Sequence, residues 1–205
     1  MKIKQIHFFS GVVLACFIGI HLFNHFISIF GIQRHIELMD SLRKIYRHPF
    51  VEMILLVSVV VQIRSGLQLV RRKGSRNAGF FDKLHLYSGL YLAIFLVIHV
   101  SAVLVGRFYL KLDTNFYFGA AGINSFPVNL FFIPYYALAV LSFFGHLAAV
   151  HSKKMNQPIL SLSPAHQAKG ILILGAVVTL LLFYGLTNQF SSIELPEEYR
   201  ILTGQ

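Results

Sequence analysis

The residues best suited to chemistry in this chain are four histidines set at two equal intervals. Residues 7–21 and 85–99 follow one pattern, with eight of fifteen positions identical, including the histidine at each end and the Ser-Gly pair that begins three residues after the first. The interval is fourteen residues both times. On a helix of about 100° per residue this returns the second side chain to within ~40° of the first, roughly 21 Å further along the axis. Two parallel helices of this kind can oppose imidazoles at two depths. That arrangement suits a b-type haem, whose low-spin iron takes two strong axial nitrogen donors, and neutral histidine supplies them without adding net charge to an apolar interior. The competing reading is that the rings hydrogen-bond across a bundle with no cofactor or, for His7 and His85, lie at a membrane interface.

A bilayer must position these residues. Of 205 residues, 56% are hydrophobic and 13% charged, far more apolar than a water-soluble domain of this length requires. The expected fold is all-α, a single domain over 1–205 with membrane-spanning helices near 5–31, 49–72, 82–108, 126–153 and 167–190. Each is long enough to cross about 30 Å of hydrocarbon. The net charge of +10 would also suit nucleic acid, but the basic residues cluster in short segments between apolar runs, which is the pattern of membrane loops and gives no reason to expect a nucleic-acid partner. Ten lysines and arginines fall in segments on the N-terminal side of the membrane and seven on the other. The bias is strongest between Arg71 and Lys83, so the N-terminus is expected in the cytoplasm, in a bacterial inner membrane, with the acidic stretch Glu194 to Glu198 outside.

The first apolar run holds two histidines, continues to about Phe30 and lacks a small-residue cleavage site, so it reads as part of the mature bundle. Cys16, the one cysteine, can form no intrachain disulfide and reads as a small packing residue. Turn chemistry marks His48-Pro49, Gly74-Ser75-Arg76-Asn77 and Ser163-Pro164. Residues 32–47 read as an amphipathic interfacial helix with Ile36, Leu38, Met39, Leu42 and Ile45 on its apolar side. His35 and His48 read as facing water or headgroups, and Tyr87, Tyr91, Tyr109, Tyr117, Tyr135 and Tyr136 as an interfacial aromatic belt. His25, four residues after His21, could pair with it around zinc or in a di-metal oxygenase, but the further His-x-x-His-His clusters of such enzymes are lacking. No Walker loop, Rossmann fingerprint or nucleophile elbow occurs.

His7-Phe8-Phe9-Ser10-Gly11 with His21, the matching His85 to His99 copy, and Phe-Phe-Gly-His146 together resemble the membrane-anchor cytochrome b subunits of succinate dehydrogenase and fumarate reductase, in their single-chain five-helix form. The resemblance covers nearly the whole chain. In that family a His-Arg-x-Ser-Gly motif opens the first helix, and here Phe8 replaces the arginine. The resemblance implies a distal haem b between His21 and His99. The family's second haem takes one histidine from the second helix and one from the fourth. Here Gln62 occupies the second-helix position in Gln62-Ile63-Arg64-Ser65-Gly66, facing His146 as the fourth-helix candidate. An amide is a poor haem ligand, so one haem is expected; a second would have to recruit His7, His85, His146 or His151.

Arg64 lies well inside its helix, where a guanidinium either faces a polar cavity or snorkels to the interface. With Gln62, Ser10, Ser88 and His146 at similar depth, it marks a candidate quinone pocket. The function expected from the resemblance is electron transfer between the quinone pool, quinone being the substrate, and iron-sulfur and flavoprotein subunits docked on the cytoplasmic face. The chain carries no flavin or iron-sulfur motif and would not turn over dicarboxylates alone. The alternatives are a haem-free transport or structural bundle, using its histidines for protons or packing, and the di-metal oxygenase.

Overall fold

Apolar stretches of about 20 residues have no better way to satisfy their backbone in lipid than a continuous helix, and each of the five expected ones forms one. The computed structural model describes residues 2–72, 79–159, 161–191 and 193–204, and among them the fold is helical with no strand. The spanning helices are α1 (Ile3–Ile27), α3 (Pro49–Arg72), α4 (Phe80–Phe108), α6 (Asn129–Lys154) and α7 (Pro164–Leu186), with α2 (Ile32–Tyr46) and α5 (Phe116–Asn124) between them. These five are long and apolar enough to cross a membrane. Large apolar side chains on their outer faces, such as Phe9, Val57, Ile94 and Leu180, are exposed, as contact with lipid requires. The Gly74-Ser75-Arg76-Asn77 turn lies outside the described residues.

Local chemistry explains the ends. A 3-10 turn, Ser28–Phe30, extends α1 to Gly31, whose φ of 120° lets the chain reverse into α2. Ser163 caps α7 by accepting from the backbone N–H of His166, with Pro164 at the first helical position. The last helix ends four residues earlier than expected, because Asn188, Gln189 and Phe190 all take positive φ. The fourth begins after Pro127, at Asn129.

The bundle is built from pairs. Antiparallel α1 and α3 pack closely, as do antiparallel α4 and α6, and α7 lies against α6 and α1. Helices α1 and α4 run in the same direction without close backbone approach and meet through the side chains of His21 and His99. Thus the half of the bundle that holds the start of α1 is the near half, and the half that holds α2 and α5 is the far half.

The far half carries the best-packed core, which the sequence did not announce. Helix α5 is capped by Asn115, whose Oδ1 accepts from the Tyr117 N–H at 2.9 Å. Its Phe116, Ala120 and Ile123 are buried with Leu186, against Ile32 and Ile36 of α2. Tyr199, in the 3-10 turn Glu197–Leu202, is buried beneath it and donates its hydroxyl to the Asp113 carbonyl at 2.9 Å. The expected amphipathic segment is indeed helical as α2. It turns Met39 inward with His35, however, while Ile45 is exposed. Cys16 faces outward rather than into the packing.

Candidate functional site

In the near half the polar side chains close on one another within the helix pairs. Ser10 of α1 donates its hydroxyl to Gln62 Oε1 of α3 at 2.6 Å, and Gln62 Nε2 donates to His7 Nε2 at 3.3 Å. His7 Nδ1 is then the protonated nitrogen, 2.9 Å from Ser65 Oγ, and Ser65 donates onward to the Val61 carbonyl at 2.6 Å. Donor follows acceptor from Ser10 to a backbone carbonyl, and both nitrogens of His7 are used. Gly66 makes the contact possible: a Cβ there would stand 3.2 Å from His7 Cε1. The pair α4 and α6 repeats the device. His146 Nδ1 lies 3.3 Å from Ser88 Oγ, its Cε1 would be 3.2 Å from a Cβ on Gly89, and its ring stacks on His85 with centroids 4.4 Å apart. The Ser-Gly of the repeat is therefore a seat for a polar side chain of the partner helix.

The structure thus separates residues that the sequence grouped as a quinone pocket. Ser10 with Gln62 and Ser88 with His146 are two contacts in two helix pairs. Arg64 is exposed and has no hydrogen bond or ion pair among the described residues, the placement of a snorkelling side chain. His7 and His85 turn to their own pair partners, and His151 bonds Gln167 of α7 at 2.8 Å.

The far half is arranged differently. His21 of α1 and His99 of α4 face one another, with ring centroids 6.1 Å apart and planes at 65°. Each is backed by a phenylalanine one turn earlier at the same position of the repeat: Phe17 stacks on His21 at 5.9 Å and Phe95 on His99 at 5.0 Å. Tyr136 of α6 touches the His99 ring, and Tyr135 is nearly buried against Phe95. These two tyrosines belong to the interior and not to an interfacial belt. His99 makes no hydrogen bond among the described residues. A polar ring so placed within a membrane span is unfavourable unless something completes it.

Beside His21 a line of imidazoles leads to α2. His25 Nε2 is 3.2 Å from His21 Nε2, His25 Nδ1 is 3.3 Å from His35 Nε2, and Asn24 Nδ2 is 3.2 Å from the same His35 nitrogen. His35 is only 1% exposed, so the expectation that it faces water is wrong. Helix α2 turns it under α5, where its ring meets Phe116 at 5.3 Å. His35 lies outside the spanning segments and is pushed down to about 4 by burial, with the nearby His21 and Arg43 acting in the same direction, so it is neutral at physiological pH. The polar neighbours Gln33, Arg34 and Glu37 hide this residue in the sequence. The one signal was its helical phase, four residues before Met39 on the buried face.

The donor set fits a bis-histidine haem. Two imidazoles in line on opposite sides of one metal, at about 2.0 Å per metal–nitrogen bond, place their ring centroids roughly 6.3 Å apart. His21 and His99 stand at 6.1 Å. Among the described residues no three His, Cys, Asp or Glu side chains converge as a site for a bare metal ion. Two apolar grooves of about 340 and 390 Å³ lie on the flanks, and neither is lined by a histidine. Comparison with protein-family models, with curated proteins and with solved structures found no match, so the family resemblance stands on the sequence motifs alone.

Proposed function

We propose that this protein is a haem-binding membrane subunit that carries electrons between quinone and a soluble module of the succinate dehydrogenase or fumarate reductase type. The observation that carries the proposal is the His21–His99 pair. Two copies of one sequence pattern, on helices that meet through side chains, bring their second histidines to the separation that bis-imidazole ligation needs. Haem b held there would supply a one-electron carrier within the membrane. His21 and His99 would hold its iron, and Phe17 and Phe95 stack on their two rings. Quinone would meet the near half, where Ser10 with Gln62 and Ser88 with His146 are engaged in two separate helix-pair contacts and do not form one lining for it. Iron-sulfur and flavoprotein subunits would dock on the basic near face, taken as cytoplasmic in a bacterial inner membrane, where Lys153 pairs with Asp82 and Lys154 lies over the Phe8 ring. The closed hydrogen-bond chain through Gln62 and His7 supports one haem per chain rather than two.

One observation favours the haem-free alternative. His21 Nε2 lies 3.2 Å from His25 Nε2, a hydrogen bond that needs no cofactor. The optical spectrum of protein purified from haem-sufficient cells separates the two. A sharp α-band on reduction supports the haem, and a colourless protein supports the bundle.

A further inference from the structure

The donors in the line of imidazoles beside His21 converge on His35. Asn24, in the amide orientation seen here, donates its Nδ2–H to His35 Nε2, which makes that nitrogen the unprotonated one of a neutral ring. His25 Nδ1, 3.3 Å from the same atom, then carries its proton and shares that nitrogen's one lone pair with Asn24. The His25 Nε2 is left with its lone pair, 3.2 Å from His21 Nε2. Asn24 and His35 are both buried, and Asn24 Oδ1 and His35 Nδ1 have no partner among the described residues, so the chain has no outlet except toward His21. An imidazole whose Nδ1–H is fixed by a buried acceptor and whose Nε2 carries the lone pair is how proteins present a histidine to a metal, and here that lone pair is met by His21 Nε2. His21 has no such support: no hydrogen bond to its Nδ1 is seen among the described residues.

We propose that His25 is a second candidate on α1 for holding the iron together with His99, with His35 and Asn24 as the residues that position it. Nitrogens 3.2 Å apart are close enough that a metal about 2.0 Å from one is within a small side-chain adjustment of the other. Helix α2 and its buried contact with α5 thereby become part of the site, because they set the orientation of His35. The proposal rests on the haem reading and adds to it that the α1 ligand is a choice between two imidazoles.

Full-length variants expressed in haem-sufficient cells test this by haem content, reduced optical spectrum and electron paramagnetic resonance of the oxidised protein. H21A is expected to retain a low-spin haem with an altered resonance signal, and H21A/H25A to lose it. H21A/H35A is expected to bind haem about 10- to 100-fold more weakly than H21A, the usual effect of removing a ligand's orienting partner. H21A/H35N, which restores a hydrogen-bonding side chain, should recover part of that loss. Circular dichroism monitors folding; if H21A is not helical, H21Q, which keeps a polar partner for His25, is read in its place. Loss of all haem from H21A or H21Q while H25A keeps the wild-type signal would overturn the role of His25 and leave the haem reading standing. A low-spin haem persisting in H21A/H25A would remove both from the ligand set, and a colourless wild type would remove the haem itself.

Discussion

Gln62 and His25 are both polar side chains deep in the bundle, and the chains of hydrogen bonds they belong to end in opposite ways. In the near half, the line from Ser10 through Gln62, His7 and Ser65 stays within α1 and α3 and ends on a backbone carbonyl. In the far half, the line from Asn24 through His35 and His25 ends at the His21–His99 pair, which bridges α1 and α4. A lipid-embedded polar group must be satisfied, and a chain that satisfies itself has no lone pair left for a cofactor. The near half therefore holds helices together, and the far half leaves His99 without a hydrogen bond among the described residues.

The strongest way to break this contrast is at His99, the imidazole on α4 that faces His21 and that our proposal also pairs with His25. We expect H99A to abolish haem binding, measured as pyridine haemochrome per protein, while H7A leaves the ratio unchanged. A ratio near two in the wild type, falling to one in H7A, would place a second haem in the near half and erase the difference between the halves. Next in size is Q62A, which strips Ser10 and His7 of their partner. It should lower stability by about 1 kcal/mol, typical of an interhelical hydrogen bond in a membrane, seen as a drop in Tm in detergent without loss of haem. Loss of haem with unchanged Tm would show that Gln62 serves the cofactor. The smallest effect is expected of G66A, where a Cβ 3.2 Å from His7 Cε1 crowds the ring. A destabilisation of roughly 1 kcal/mol, no greater than that of Q62A, would mark the glycine as a seat for the near-half chain.

The sequence showed the parts of this molecule whose physics is local. A run of about 20 apolar residues can do little but span, so all five spanning helices were legible, with ends that shift where Pro127 delays α6, Pro164 starts α7 early, a 3-10 turn takes over from α1 at Ser28 and the positive φ of Asn188, Gln189 and Phe190 stops α7. The repeat exposed the His21–His99 pair because helix periodicity fixes which side chains share a face. Two things were not legible. Helix α5 is nine residues long with glycine and asparagine inside it, and it is fixed by burial against Leu186 and the distant Tyr199 rather than by its own pattern. Likewise His35 sits among charged neighbours and is buried only because α2 folds back beneath α5. The quinone pocket grouped residues by depth alone, and depth does not say which helix pair a side chain turns toward.

The most direct test of the central claim is the reduced-minus-oxidised spectrum of the purified wild-type protein, with haem counted per chain. We expect the sharp α-band of a low-spin b-type haem at a stoichiometry of one. A protein that is folded, helical and colourless after expression with ample haem would contradict it, leaving the His21–His25–His35 line as hydrogen bonding within a haem-free bundle.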